Sequence, residues 1–127
     1  MGQTTTREYI LIAAITAIEK YGVQHVTTRR IAEEAGVNNA ALHYYYGTKE
    51  NLVEQALAMI LQRMLDDSAV IFSEHTGYPE RLGALFQYLC DVLIKYPNLV
   101  RAHLSGPLME KDPSSPFLNM LDPWFER

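Results

Sequence analysis

The chain has 127 residues, a formal net charge of −4, 48% apolar residues and a single cysteine, Cys90. That length holds one ordinary domain or a small domain plus part of another, and the apolar share supplies a core and excludes a disordered chain. No run approaches the ~18 apolar residues of a membrane span, the N-terminus is not a signal peptide, and a lone cysteine makes no intrachain disulfide, which fits the cytoplasm.

Every segment reads as helix, without a convincing strand, repeat or low-complexity tract. The first helix runs from about Thr6 to Tyr21, where Ile10 or Leu11, Ala14, Ile15, Ile18 and Tyr21 recur at helical spacing and Gly22 stops it. Thr27 or Thr28 caps a second, short helix. Ile31, Ala32 and Ala35 give that helix its apolar face, and Ala32 is small enough to let another helix cross close by. Gly36 follows where a positive φ is needed, which glycine adopts at little steric cost. Val37 anchors the turn, Asn38 caps a third helix, and Leu42 with Tyr45 or Tyr46 closes a small core. Two short helices across a tight turn have the layout of a helix-turn-helix that docks on DNA.

A fourth helix starts behind the capping hydroxyl of Thr48 and runs to about Ser73. Leu52, Val53, Ala56, Leu57, Ile60, Leu61, Met64 and Leu65 make its apolar face wide, which implies contacts on two sides. Residues 75–79 form a loop, and Pro79 opens a fifth helix with Leu82, Leu85, Phe86, Leu89, Val92 and Leu93. It halts near Tyr96-Pro97. A short helix from Asn98 to Leu104 is broken by Gly106-Pro107, and residues 111–116 form a linker. Pro116 opens a last helix carrying Phe117, Leu118, Met120, Leu121, Trp124 and Phe125, interrupted at Pro123. Apolar residues still accumulate where the chain stops, so its C-terminal body is expected to be incomplete.

Net acidity argues mildly against DNA binding, but the charge is uneven. Residues 1–52 carry five basic and five acidic groups, and residues 53–127 carry six and ten. What counts is the local face, where Arg29, Arg30 and Lys49 fall within the motif while Glu33 and Glu34 point to solvent. Lys49 lies in the first turn of a helix, where a cation opposes the dipole by about 0.3–1 kcal/mol. A DNA phosphate at that helix end reverses the sign and satisfies both the ammonium and the free N–H groups. Asn39 suits bidentate pairing with adenine, and Ala40 or Ala41 suits contact with a thymine methyl. His43, Tyr44 and Tyr45 are candidates to face outward, and the tyrosine hydroxyls suit phosphate. Two of Tyr44–Tyr46 are as readily core residues. Thr28 and Arg29 reach phosphate and a base edge respectively, whereas Arg30 is balanced between phosphate and solvated surface.

The run Thr27-Thr28-Arg29-Arg30-Ile31-Ala32, with Ala35-Gly36-Val37, Leu42-His43-Tyr44-Tyr45-Tyr46 and Lys49-Glu50-Asn51-Leu52, resembles the DNA-binding domain of tetracycline-repressor (TetR)-type regulators over about residues 5–65. The resemblance implies an all-α protein. Its three-helix head, residues 1–50, would be joined by a linker helix to a ligand-binding and dimerisation body, residues 51–127. It further implies a homodimer on a palindromic operator, with recognition helices about 34–36 Å apart and a small molecule in the body that tilts the linker helix. His43 stands where the family more often has Tyr, and Tyr46 where Phe is usual, so the Tyr46 hydroxyl must reach water or a partner.

Met64, Phe86, Tyr88, His103 and Trp124 are candidates to line an effector cavity of apolar or mixed character, although apolar residues at helical spacing are more often plain core. His25, His43, His75 and His103 show no metal-ligand spacing, and no cofactor loop or nucleophile motif is present. That argues against an enzyme. The remaining alternative is an all-helical protein-interaction module that does not read DNA.

Overall fold

A computed structural model describes residues 5–110. Within them six helices follow in order: α1 (Thr6–Tyr21), α2 (Thr28–Ala35), α3 (Asn39–Tyr46), α4 (Lys49–Glu74), α5 (Tyr78–Lys95) and α6 (Pro97–Glu110). There is no strand among the described residues.

Helix α1 is the hub. Thr5 begins it with a reciprocal cap, its hydroxyl accepting from the Glu8 N–H while the Glu8 carboxylate accepts from the Thr5 N–H, which satisfies two otherwise orphaned donors. Ile10, Ala13, Ala14, Ala17 and Ile18 are buried along one side. Three of those five are alanine, so neighbouring backbones approach closely, and α2, α4 and α6 all pack on α1. Val26, Ile31, Leu42, Tyr46, Leu52 and Ala56 complete the core from the head, and Leu99 and Ala102 of α6 enter the same cluster. One continuous core therefore joins the head to the start of α6.

Helix α4 has 26 residues, about 39 Å at 1.5 Å per residue. Leu52 and Ala56 in its first turns are buried in the head core, and it packs on α5 and α6 farther along, which accounts for its wide apolar face. The corner that follows is pinned by Arg81, whose Nε donates to the His75 carbonyl at 2.7 Å and whose guanidinium lies 4.8 Å from the Phe72 ring centre. Helix α5 buries no residue fully, and Leu82, Phe86, Leu89 and Leu93 are exposed.

Two expectations change here. Helix α6 continues through Gly106-Pro107 to Glu110 rather than ending at Leu104, because an internal proline deletes one ladder bond and bends a helix as readily as it ends one. Glu33 and Glu34 do not simply face solvent. Glu33 pairs with Arg29 at 3.3 Å, and Glu34 pairs with Lys20 of α1 at 3.0 Å. The helix expected from Pro116, with Trp124, lies outside the described residues.

Candidate nucleic-acid interface

The two short helices are set by local bonds. Of the two threonines, Thr27 is the cap, its hydroxyl accepting from the Arg30 N–H at 3.2 Å. Gly36 ends α2 at φ +69°, a left-handed conformation that a side chain would strain. The Val37 N–H then returns to the Ala32 carbonyl at 3.0 Å. Asn38 Oδ1 accepts from the Ala41 N–H at 2.9 Å and starts α3. Thr48 does the same for α4, its hydroxyl accepting from the Asn51 N–H at 3.1 Å.

Helix α3 is held from one side and open on the other. Leu42 and Tyr46 are buried, and Tyr45 is half-buried against the core. The Tyr46 hydroxyl donates to the Arg7 carbonyl at 2.7 Å, with the Arg7 guanidinium 5.2 Å from its ring centre. Burial raises the Tyr46 pKa, so this hydroxyl keeps its proton. The exposed side carries Asn39, Ala40, His43 and Tyr44, with Ala41 partly covered. Tyr44 is 83% exposed and stands edge-on to Tyr45 at 5.0 Å. These side chains share a ridge on the first three turns of a helix whose back is fixed in the core.

His43 is already engaged through one nitrogen. Its Nδ1 lies 2.9 Å from the Gly47 carbonyl, and since a carbonyl oxygen only accepts, Nδ1 carries the proton. The outer nitrogen, Nε2, is then a lone pair on the neutral ring and a donor only on the imidazolium. A phosphate contact by His43 thus requires proton uptake, a condition not visible in the residue type alone.

The flanking cations divide. Lys49 is the first residue of α4 and partly exposed, beside the free N–H groups of that helix. Thr28 is half-buried at the start of α2. Arg29 is exposed and paired only with the equally exposed Glu33, a surface pair of the kind worth little and readily exchanged for a phosphate. Arg30 is neither a free cation nor plain surface. It stacks 4.3 Å over the Tyr21 ring and donates to the His25 carbonyl at 3.0 Å, tying α2 to the end of α1. Sequence reasoning also missed Asn51, whose Nδ2 donates to the Tyr46 carbonyl at 2.8 Å and fixes the angle between α3 and α4.

Behind the head, a cavity of about 430 Å³ opens between α1, α4, α5 and α6. Met64, Tyr88 and His103 line it, together with Ile15 of α1 and Leu99 of α6. Phe86 does not. It is 71% exposed and sits on the outer side of α5, because α5 is apolar on both sides and turns Tyr88 and Val92, not Phe86, toward α4. Among the described residues no group of three or more His, Cys, Asp or Glu is placed to hold a metal ion.

The profile of the bacterial regulatory proteins of the tetR family matches residues 10–56, the segment from the middle of α1 to the second turn of α4. By this head, the chain belongs to the tetR family. Curated relatives agree. The HTH-type transcriptional regulator BetI of Agrobacterium fabrum is 32% identical over 79 residues, 62% of this chain and 38% of that protein. The nucleoid occlusion factor SlmA of Haemophilus influenzae is 28% identical over 104 residues, 81% of this chain and 48% of that protein. The chain spans less than half the length of these relatives. No solved structure matches it.

Proposed function

We propose that this tetR-family chain is a DNA-binding transcriptional regulator, a ligand-responsive repressor that acts as a homodimer on a palindromic operator. The observation that carries the reading is the open ridge of α3, with Asn39, Ala40, His43 and Tyr44 outward and Leu42 and Tyr46 locked inward. A rigid helix presenting a mixed polar and small-residue face suits a major groove. Asn39 pairs with adenine, Ala40 and Ala41 meet a thymine methyl, and Tyr44 and Tyr45 bring hydroxyls to phosphate. Thr28, Arg29, the protonated His43 and Lys49 hold the flanking backbone. The work of the protein is binding, not catalysis, and the reading places it in the cytoplasm with its DNA.

The effector part of the proposal rests on the cavity, whose wall includes Ile15 of the head and Leu99 of the body. A small molecule there bears on α1, α4 and α6 together and shifts the two heads of the dimer out of register. A second reading, a protein-interaction module, draws on the exposed stripe Leu82, Phe86, Leu89 and Leu93 of α5. Affinity for duplex DNA across a salt series separates the two. Phosphate contacts give a logarithmic slope of about −0.9 for each phosphate neutralised, so a steep slope supports the regulator, and a folded protein without salt-dependent DNA binding supports the module.

A further inference from the structure

The wall of the cavity is mostly apolar, from Ile15, Ile60, Met64, Val92, Leu99 and Val100. Its polar groups are unequal. The Tyr88 hydroxyl is already spent, donating to Asp67 Oδ2 at 3.0 Å, and with the added burial its pKa is raised to about 12. Asp67 and Arg63 are exposed, so water already serves their charges. His103 differs from all of these. Its Nε2 is buried and has no hydrogen-bond partner among the described residues, and burial holds the ring neutral by lowering its pKa.

A buried polar atom without a partner is costly and exceptional in native proteins, and this one belongs to a residue lining a cavity of ligand size. The neutral imidazole offers Nε2 as an acceptor in one tautomer and as a donor in the other. A hydroxyl both gives and takes a hydrogen bond and so satisfies either form. A charged group at the same place would be stripped of water with no opposite charge among the buried lining residues.

Resting on the effector reading above, we propose that the ligand of this cavity is a neutral, largely apolar small molecule bearing a hydroxyl, anchored on Nε2 of His103. The apolar wall takes its body, and His103 orients it and discriminates against the same skeleton without the hydroxyl. A site built to bond a ligand hydroxyl rejects the analogue lacking it, because its own polar group is then left unpaired.

The test titrates the full chain by calorimetry with 2-naphthol, with naphthalene, and with naphthalene-2-carboxylate. The expected order is 2-naphthol first, tighter than naphthalene by about tenfold or more, with the carboxylate weakest. In His103→Phe the preference for 2-naphthol over naphthalene falls to about unity. In His103→Gln, which keeps a donor and an acceptor, part of it remains. The ring-nitrogen NMR signal of His103 in the native chain shifts with 2-naphthol and not with naphthalene, a readout independent of either variant's folding. Equal binding of 2-naphthol and naphthalene, or a preference surviving in His103→Phe, overturns the anchor while leaving the cavity a ligand site. Tighter binding of the carboxylate overturns the neutral class. Failure of all three to bind overturns the anchor and the effector reading together.

Discussion

Glu19 and Leu99 stand 80 positions apart and share a hydrogen bond, the Glu19 Oε2 accepting from the Leu99 N–H at 3.0 Å. The neighbouring Asn98 Nδ2 donates to the Glu19 carbonyl at 2.8 Å. The side chain of α1 thus caps the start of α6, where backbone donors are free and negative charge is favoured, and the side chain of α6 caps the end of α1. This reciprocal clamp is the polar joint between the helix-turn-helix head and the body.

Replacing Glu19 by Ala leaves the Leu99 N–H, in a buried residue, without its acceptor. The expected loss of stability is about 1–3 kcal/mol, and Glu19→Gln, which keeps an acceptor oxygen, loses less. Urea unfolding checks both. Equal stability of Glu19→Ala and the native chain would show that the clamp carries no weight.

Tyr46 and Tyr44 should respond in opposite ways. Tyr46→Phe removes the bond to the Arg7 carbonyl and costs about 0.5–1.5 kcal/mol of stability, with DNA affinity unchanged once the protein is folded. Tyr44→Phe leaves stability unchanged, since its hydroxyl meets only solvent, and weakens DNA binding. Paired melting and anisotropy measurements on the two variants separate core from interface.

Lys49→Ala is expected to weaken binding to all sequences alike and to reduce the salt slope by about 0.9. Stability should hold or rise by about 0.3–1 kcal/mol, because a cation in the first helical turn opposes the dipole. An unchanged slope would remove Lys49 from the interface.

Asn39→Ala acts on sequence rather than on affinity at large. Preference at a single base position should relax by about 1–3 kcal/mol if the pairing is bidentate. Competition among duplexes differing at one position reads it, and an unaltered profile would place Asn39 in solvent.

The pH dependence of stability has a predictable sign at His103. Burial lowers its folded pKa below the ordinary 6.5, so below that pH the unfolded chain binds the proton that the native ring refuses. Stability contributed by the neutral buried ring is therefore full above pH 6.5 and falls as pH drops from there toward the folded pKa. His103→Leu should flatten that part of the profile in thermal melts between neutral and mildly acid pH. A variant with the native slope would assign the loss to other groups.

The head was legible because its signals are local. Thr27, Gly36, Asn38 and Thr48 each act within three or four residues of themselves, and residue type nearly dictates the bond. What escaped was long-range or ambiguous by period. Nothing near Glu19 announces Leu99, and nothing near Arg30 announces that Tyr21 will hold it. Helix α5 is apolar on both sides, so spacing alone did not rank Phe86 below Val92 as a cavity residue. His43 was legible as an outward residue, but the bond that fixes its tautomer comes from the Gly47 carbonyl, which is set by the turn.

The central claim is that the open ridge of α3 reads DNA sequence, and selection of bound duplexes from a random pool at a stated salt concentration tests it most directly. The account predicts recovery of a palindrome whose half-sites lie about one helical turn, ~34–36 Å, apart, with Asn39→Ala blurring one position in each half. A folded, dimeric protein that recovers no common sequence would contradict it.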